Sequence, residues 1–452
     1  MTEYVNKDRV CQNLSNAIKI KTISHLDENE TDWNEFEKFY SFLCESFPMV
    51  HKNLKVEHVG RAGLVFIWEG TEKNLEPIAF LSHQDVVPVT EGTEGDWKHP
   101  PFEGYNDGEF IWGRGAIDMK NHLVAVMESV ETLLEEGYAP KRSVYLCFGY
   151  NEELMIDDGN SATMIAEHLK ASGVHFDSII DEGGAMIQVK VPGVIDAVLA
   201  GVGLGEKGYA DFRVTVSAKG GHSSAPPNHT AIGILSKRIE SLEKHQFPES
   251  VPDYFVELLS LVGEKVCFPL NQVFKVLPHV RKPLGKVLTL VPEGASFVRT
   301  CQAVTMCEGS PAANVLPQRA SATINFRMMQ GTTLKDVEKK IEKYMGGKNT
   351  TIELLKGHEA SQVSSTNTRS FNTIREIAMD LDDRIVVSPF MVMGGTDAYH
   401  YECVSDTIYR FSPFTAPVSV MSTAHSTNER VPVASLVEAV AFFKAYIRKM
   451  TT

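Results

Sequence analysis

Apolar residues recur along the chain with two periods, and their order predicts a fold class. Asn6 to Ile20 and Trp33 to Phe47 carry the spacing of amphipathic helices, whereas Leu64 to Trp68 and Ile78 to Leu81 are short apolar runs suited to buried strands. Leu123, Val126, Met127, Val130, Leu133 and Leu134 fall on one helical face, and Gly137 with Pro140 stops that helix before a strand from Ser143 to Phe148. Ile179 and Ile180, then Val194 to Leu199, begin further buried strands. Helices and strands that interleave in this way predict a layered α/β domain.

The pattern changes near Gly205 to Gly208. Phe212, Val214 and Val216 alternate as a half-buried strand, and a helix is predicted from about Thr230. Strands at Ala303 to Met306, Ala322 to Phe326 and Thr351 to Leu355, with a helix from Leu334 to Tyr344, complete a small sheet with helices on one side. The expected organisation is a first catalytic segment over 1–206, an inserted lid over 207–356 and a second catalytic segment over 357–452. Within the lid, 247–290 is apolar enough to be ordered, with Leu258, Leu259 and Val262 at helical spacing, and reads as a helical elaboration. The second catalytic segment carries a helix near Phe371 to Met379, a loop at Met393 to Ala398 and a last helix from Leu436 to Met450.

Composition narrows the function. Of 452 residues, 43% are hydrophobic and 23% charged, which is ordinary for a globular chain, and the length calls for more than one domain. No run reaches the roughly 20 apolar residues of a bilayer span, so no membrane partner is expected. Asp8, Arg9 and Asn13 interrupt the start of the chain, which therefore lacks the profile of a signal peptide, and a cytoplasmic location is expected. The formal charge of −14 disfavours nucleic acid. Seven scattered cysteines without a CxxC pair suggest neither a disulfide framework nor a thiolate metal site, and Cys301 and Cys307 read as incidental thiols.

Candidate chemistry lies at strand ends. His83 and Asp85 follow one predicted strand, Glu152 and Glu153 another, and Asp181 a third, and in an open α/β sheet such ends converge. Asp118 follows the glycine-rich turn Gly113 to Gly115, and His425 lies far downstream in a polar loop. Imidazoles and carboxylates without thiolates suit zinc, cobalt or manganese. Taken singly, each group fits a turn, a cap or a solvated carboxylate as well as a ligand.

Together they resemble a family. SHQDVVPV at Ser82 to Val89, DWKHPPFEGYNDGEFIWGRGAIDMK at Asp96 to Lys120, NEE at Asn151 to Glu153, DEGG at Asp181 to Gly184, KGGHSSAPP at Lys219 to Pro227, SPAANVLPQRASATINFR at Ser310 to Arg327, GGTDA at Gly394 to Ala398 and His425 are similar to M20 metallopeptidases, closest to their carboxypeptidase S-like branch. The resemblance implies a zinc-peptidase-like catalytic domain, with a mixed sheet between helices, and an inserted α+β lid that often dimerises. It implies two divalent ions, most simply Zn2+, with Co2+ or Mn2+ as alternatives. His83 and Asp181 would serve one ion, Glu153 and His425 the other, and Asp118 both. Glu152 would be the base, and Asp85 would accept the second ring N–H of His83. The family also carries a cis peptide after the residue matching Asp118.

On the lid, the resemblance makes His222 an oxyanion donor, often delivered by a second subunit and worth about 3 kcal/mol of barrier. Asn314, Arg327 and the backbone of Gly394 and Gly395 would hold the substrate carbonyl and carboxylate. Without the resemblance, His222 fits an ordinary loop histidine and Arg327 a strand-end ion pair. The implied activity is hydrolysis of an amide or peptide bond beside a free carboxylate, in a small peptide or N-acyl amino acid. An inactive homologue that uses the same cleft for recognition is the competing reading, against which the retained base, ligands and lid histidine argue. A serine hydrolase is disfavoured, since no GxSxG elbow occurs and Ser223 and Ser224, adjacent to His222, are not placed for a triad. The chain departs from the pattern at Asn151, where relatives carry an acid, and at 154–158, which lacks their small residues, so the substrate class is the least constrained expectation.

Overall fold

The computed structural model describes residues 3–154, 156 and 159–452; Met155, Asp157 and Asp158 of the departing loop lie outside the described residues. The chain folds as a mixed α/β structure around a ten-stranded sheet. In its middle, Ile78–His83 runs parallel to Val144–Gly149 on one side and Ser178–Asp181 on the other, and Ile408–Arg410 extends the parallel run. These strands are buried on both faces, which is why they read as unbroken apolar runs. Antiparallel strands Lys55–Val59 and Gly63–Trp68 close one edge, and Ile195–Glu206 and Met186–Val191 continue the other.

Helix Lys120–Glu135 is buried from Lys120 to Leu133 between this sheet and the terminal helix Val433–Met450, and Ser129 Oγ donates to the Val440 carbonyl at 3.0 Å. The sequence places only one apolar face on this helix. It is buried all round because Glu128 and Glu131 find internal donors, Arg9 at 2.5 Å for Glu128 and the backbone N–H groups of Met49 and Val50 for Glu131.

A second, four-stranded antiparallel sheet runs Cys301–Glu308, Arg319–Met328, Gly208–Ser217 and Thr350–His358. Helices Ala231–Lys244 and Leu334–Met345 cover one of its faces, where Phe212, Val214, Ile324, Phe326, Val337 and Ile341 form a core of their own. The second helix begins with Thr333 and Asp336 capping each other's backbone. Between these strands, helices Asp253–Lys265, Leu270–Val276, Arg281–Leu288 and Pro292–Val298 make the elaboration. The last residue of the long strand Ile195–Glu206 and the first of Gly208–Ser217 are separated by Lys207, whose ammonium bonds the carbonyls of Ser296 and Arg299.

His122, on the buried helix, packs 5.0 Å from the Phe443 ring and holds Ser412 Oγ at 2.8 Å through Nδ1. Burial lowers its pKa to about 3, against about 6.5 when unfolded. Below pH 6.5 the unfolded chain binds a proton that the native state refuses, so stability present above that pH falls by about 1.4 kcal/mol per pH unit on acidification toward 3. Denaturant titrations of His122→Gln between pH 7 and 5 should show a shallower slope than the parent by about one proton.

Candidate active site

Three parallel strands deliver the core of the site at their carboxyl ends. His83 is the last residue of its strand and pairs in register with Gly149, after which the neighbouring strand turns out to Glu152 and Glu153. Ser178–Asp181 ends beside them. The fourth contribution is the turn Gly113 to Gly115 before Asp118. Gly115 has φ +86, and a Cβ there would sit 2.8 Å from Val86 and 3.2 Å from Lys120, so glycine is required both by conformation and by space. The Asp118–Met119 peptide is cis.

Asp118 faces two imidazoles at once. Oδ1 lies 3.2 Å from His83 Nε2, and Oδ2 lies 2.9 Å from His425 Nε2. Glu182 Oε1 is 3.4 Å from His83 Nε2, and Glu153 Oε2 is 3.0 Å from His425 Nε2. Asp118 therefore stands between a His83–Glu182 pair and a His425–Glu153 pair, and the donor atoms of His83, Asp118 and Glu153, and of His83, Glu152 and Glu182, lie within 4.8 Å of one another. Ligands at 2.0–2.1 Å around a tetrahedral ion stand about 3.3 Å apart, and these spacings bracket that value. Glu152 Oε2 is farther from His83, at 3.9 Å. His425 reaches inward from a left-handed backbone, φ +59, which is uncommon for a side chain of this size.

The donor set fits divalent cations. His83 Nδ1 bonds the Asp85 carbonyl at 2.9 Å, which fixes the tautomer and turns the Nε2 lone pair toward the carboxylates. Glu153 Oε1 is buried with no hydrogen-bond partner. Positive charge is favoured throughout: the Asp118 and Glu153 carboxylates push His425 up to about 10. Burial opposes a charge on His83, yet Glu182, Asp118 and Asp85 outweigh it and hold its pKa well above the usual value. Burial, then the charge of Asp118, pushes Glu182 up to about 8. Burial, joined by Glu182, Asp397 and Glu153, raises Glu152 well above the carboxylate range even against the favourable His83.

One expected ligand is not in the cage. Asp181 is 1% exposed and points into the protein, where Arg410 and Glu206 face it, and its Oδ2 has no partner. The strand ends at Asp181, and the carboxylate one position on, Glu182, in the bend that follows, is the one that meets His83. The pair of adjacent acids in DEGG carries no signal of which faces the site; the bend at the strand end decides. Asp85 also differs in detail: its carbonyl is the nearest acceptor for His83, its Oδ1 is at 3.5 Å, and its carboxylate takes the backbone N–H groups of Glu152 and Glu153 at 3.3 and 3.1 Å. It orients the ligand and the candidate base together.

Two positioning groups carry no local sequence signal. Glu429, fully buried, pairs with Arg114 at 2.6 Å and accepts from the backbone N–H of Ile117 and Asp118 at 2.9 and 3.2 Å, locking the Asp118 turn to the His425 loop. Glu206 pairs with buried Arg410 at 3.0 Å and accepts from Thr396 N–H at 2.8 Å, tying the glycine loop to the end of the long strand. Gly395 and Glu152 line a common cleft, whereas Gly394 is exposed beside it. His222 and Asn314 sit together on an exposed two-stranded ribbon of the lid, Gly221–His222 with Val315–Leu316, where His222 Nδ1 contacts Ser224 Oγ. Arg327 is not in an ion pair among the described residues; its guanidinium lies 4.7 Å over the Tyr209 ring.

Metal analysis after loading with zinc should separate the two adjacent acids. Glu182→Ala is expected to lose about one ion per chain and Asp118→Ala both, while Asp181→Asn, if it folds, keeps the full complement; retention of two ions by Glu182→Ala would remove it from the cage.

The sequence model of peptidase family M20/M25/M40 matches residues 79–449. The chain is 33% identical over 443 residues to the probable carboxypeptidase S-like 2 of Dictyostelium discoideum, covering 97% of this chain and 84% of the relative. It is 31% identical to the N-fatty-acyl-amino acid synthase/hydrolase PM20D1.1 of Danio rerio, covering 97% and 85%. Among solved structures, the M20 family metallo-carboxypeptidase Sso-CP2 of Sulfolobus solfataricus shares the fold at a TM-score of 0.68 and 18% identity, over 97% of this chain and 98% of that one. With matches of this extent, and a shared-carboxylate cage at the sheet's carboxyl ends, the chain belongs to peptidase family M20/M25/M40 and is an enzyme of metal-dependent amide or peptide hydrolysis.

Proposed function

We propose that this protein binds two zinc ions, held by His83, Asp118 and Glu182 and by Asp118, Glu153 and His425, and cleaves an amide bond beside a free carboxylate in a short peptide or N-acyl amino acid. The observation that carries this reading is Asp118, each of whose oxygens meets a different imidazole–carboxylate pair. A bound pair of divalent ions supplies Lewis acidity and lowers the pKa of a water from 15.7 toward about 7.

The chain's own groups supply the rest. Glu152 borders the open cleft, and its raised basicity suits it to take a proton from the attacking water and pass it to the leaving nitrogen. Asp85 holds its backbone in place. His222 and Asn314, side by side on the lid ribbon, would meet the developing oxyanion when the lid or a second copy of the chain brings them over the cage; their exposure is the support for that role and for a homodimer. The small acid or peptide substrate draws on the relatives, named for carboxypeptidase and N-fatty-acyl-amino acid chemistry.

Among the described residues no helix is long and apolar enough to cross a membrane. The cytoplasmic location is part of this proposal, supported by seven cysteines that are all free thiols.

Glu152→Gln should retain close to two ions per chain and lose hydrolysis by roughly 10²- to 10⁴-fold, read with zinc-loaded enzyme on a panel of dipeptides and N-acyl amino acids. Near-parental turnover in that variant would displace Glu152 from the role of base. Silence of the zinc-loaded parent across the panel would favour recognition over catalysis.

A further inference from the structure

We propose that the outer face of the helical elaboration is a docking surface for an anionic lipid bilayer, on which the protein lies without spanning it. Exposed apolar side chains enter the headgroup region there, and lysines beside them meet the acidic headgroups. The inference goes beyond the hydrolytic reading and does not depend on it.

From Lys265 to Pro292 the chain carries Lys265, Lys275, Arg281, Lys282 and Lys286 and no Asp or Glu, although the whole chain has a net charge of −14. Two of these cations are engaged: Lys265 donates to the Asp383 carbonyl at 2.9 Å, and Arg281 pairs with Asp253 at 2.6 Å. Lys275, Lys282 and Lys286 are exposed and form no ion pair among the described residues. The same stretch is rich in exposed apolar surface. Phe268 is 78% exposed and Leu290 80%, and Leu270, Val273, Val276 and Val287 are exposed with them. A single apolar residue on a surface is ordinary, whereas a concentration of them in one short stretch marks an interaction site.

Packing turns these residues outward. Helix Asp253–Lys265 rests on the catalytic strands Ile385–Val392 and Ile195–Glu206, and the shorter helices lie on it. Leu270–Val276 is held through Phe274, so closely that a Cβ at Gly263 would lie 2.4 Å from that of Phe274. Arg281–Leu288 is held through Leu284 and Leu288, which cluster with Phe255 and Leu259. With Phe274, Leu284 and Leu288 facing in, the helical period puts Val276, Lys282 and Lys286 on the far side.

The occupant follows from the combination. A second copy of the chain, docked about a two-fold axis, would set these lysines against their own counterparts. Nucleic acid would engage the lysines through its phosphates and leave Phe268, Leu290 and the valines without a role. A lipid surface uses both sets, since apolar side chains enter the interface while each lysine gains from negative headgroups. The acidic remainder of the molecule is repelled by the same surface, which fixes the orientation of approach. The lack of a spanning helix is no obstacle, because an interfacial element lies in the plane of the bilayer.

The test is co-flotation of the full chain with vesicles of phosphatidylcholine, alone or mixed with phosphatidylserine. Binding to the mixed vesicles should exceed binding to phosphatidylcholine roughly tenfold and fall with added salt. Lys275→Gln, Lys282→Gln and Lys286→Gln together should weaken it roughly 100-fold. Phe268→Ser with Leu290→Ser should weaken it about tenfold, and both variants should melt at the parental temperature. Equal binding to the two kinds of vesicle, or parental binding by either variant, would overturn the proposal. So would a concentration-dependent dimer in sedimentation velocity that Phe268→Ser with Leu290→Ser abolishes, which would assign the face to a second copy of the chain.

Discussion

Everything in the site follows from crowding several carboxylates into one small volume. Asp118, Glu153, Glu182 and Glu152 crowd around His83, with His425 against Asp118 and Glu153, and like charges at such spacing repel by amounts that rise steeply once water is removed. A fold can hold such a cluster only by leaving room for positive charge and by fixing the backbone that carries it. Glu429 and Arg114 do this for Asp118, and Asp85 does it for Glu152 and Glu153. Hydrogen bonds to the Asp118 and Glu153 carboxylates raise His425, and burial, then the charge of Asp118, raises Glu182.

Parallel strand order turns that demand into an address. In a parallel sheet the carboxyl ends of neighbouring strands open on one side, so loops from Ile78–His83, Val144–Gly149 and Ser178–Asp181 reach a common place although they are far apart in the chain. The scaffold beneath is rigid because Lys120–Glu135 is buried between the sheet and the terminal helix, with its polar groups paired. The lid, by contrast, has its own core and reaches the catalytic domain through Glu206, Lys207, a ring stack at Tyr209 and the helix Asp253–Lys265, which packs on Ile385–Val392 and Ile195–Glu206.

Much of the fold was legible because burial leaves a periodic trace. The runs at Ile78 to Leu81 and Ile179 to Ile180 are apolar on both faces and became central parallel strands, and the alternation at Phe212, Val214 and Val216 became a one-sided strand of the lid. The site was legible as composition at strand ends, with His83, Asp118, Glu153 and His425 meeting in space. Illegible were groups whose role depends on a partner remote in sequence, such as Glu429 on Asp118 or Glu206 on Arg410, since no spacing rule links them.

By itself, then, the sequence determined the layered α/β architecture, the inserted small sheet and the chemical character of the site, because these depend on periodicity and on residue type. Tertiary structure alone decided that Glu182 rather than Asp181 turns to His83 and that Arg327 lies on a ring. The reason is geometric. The chain bends just past Ser178–Asp181, so adjacent carboxylates face different places and one step along the chain changes the outcome without changing the pattern.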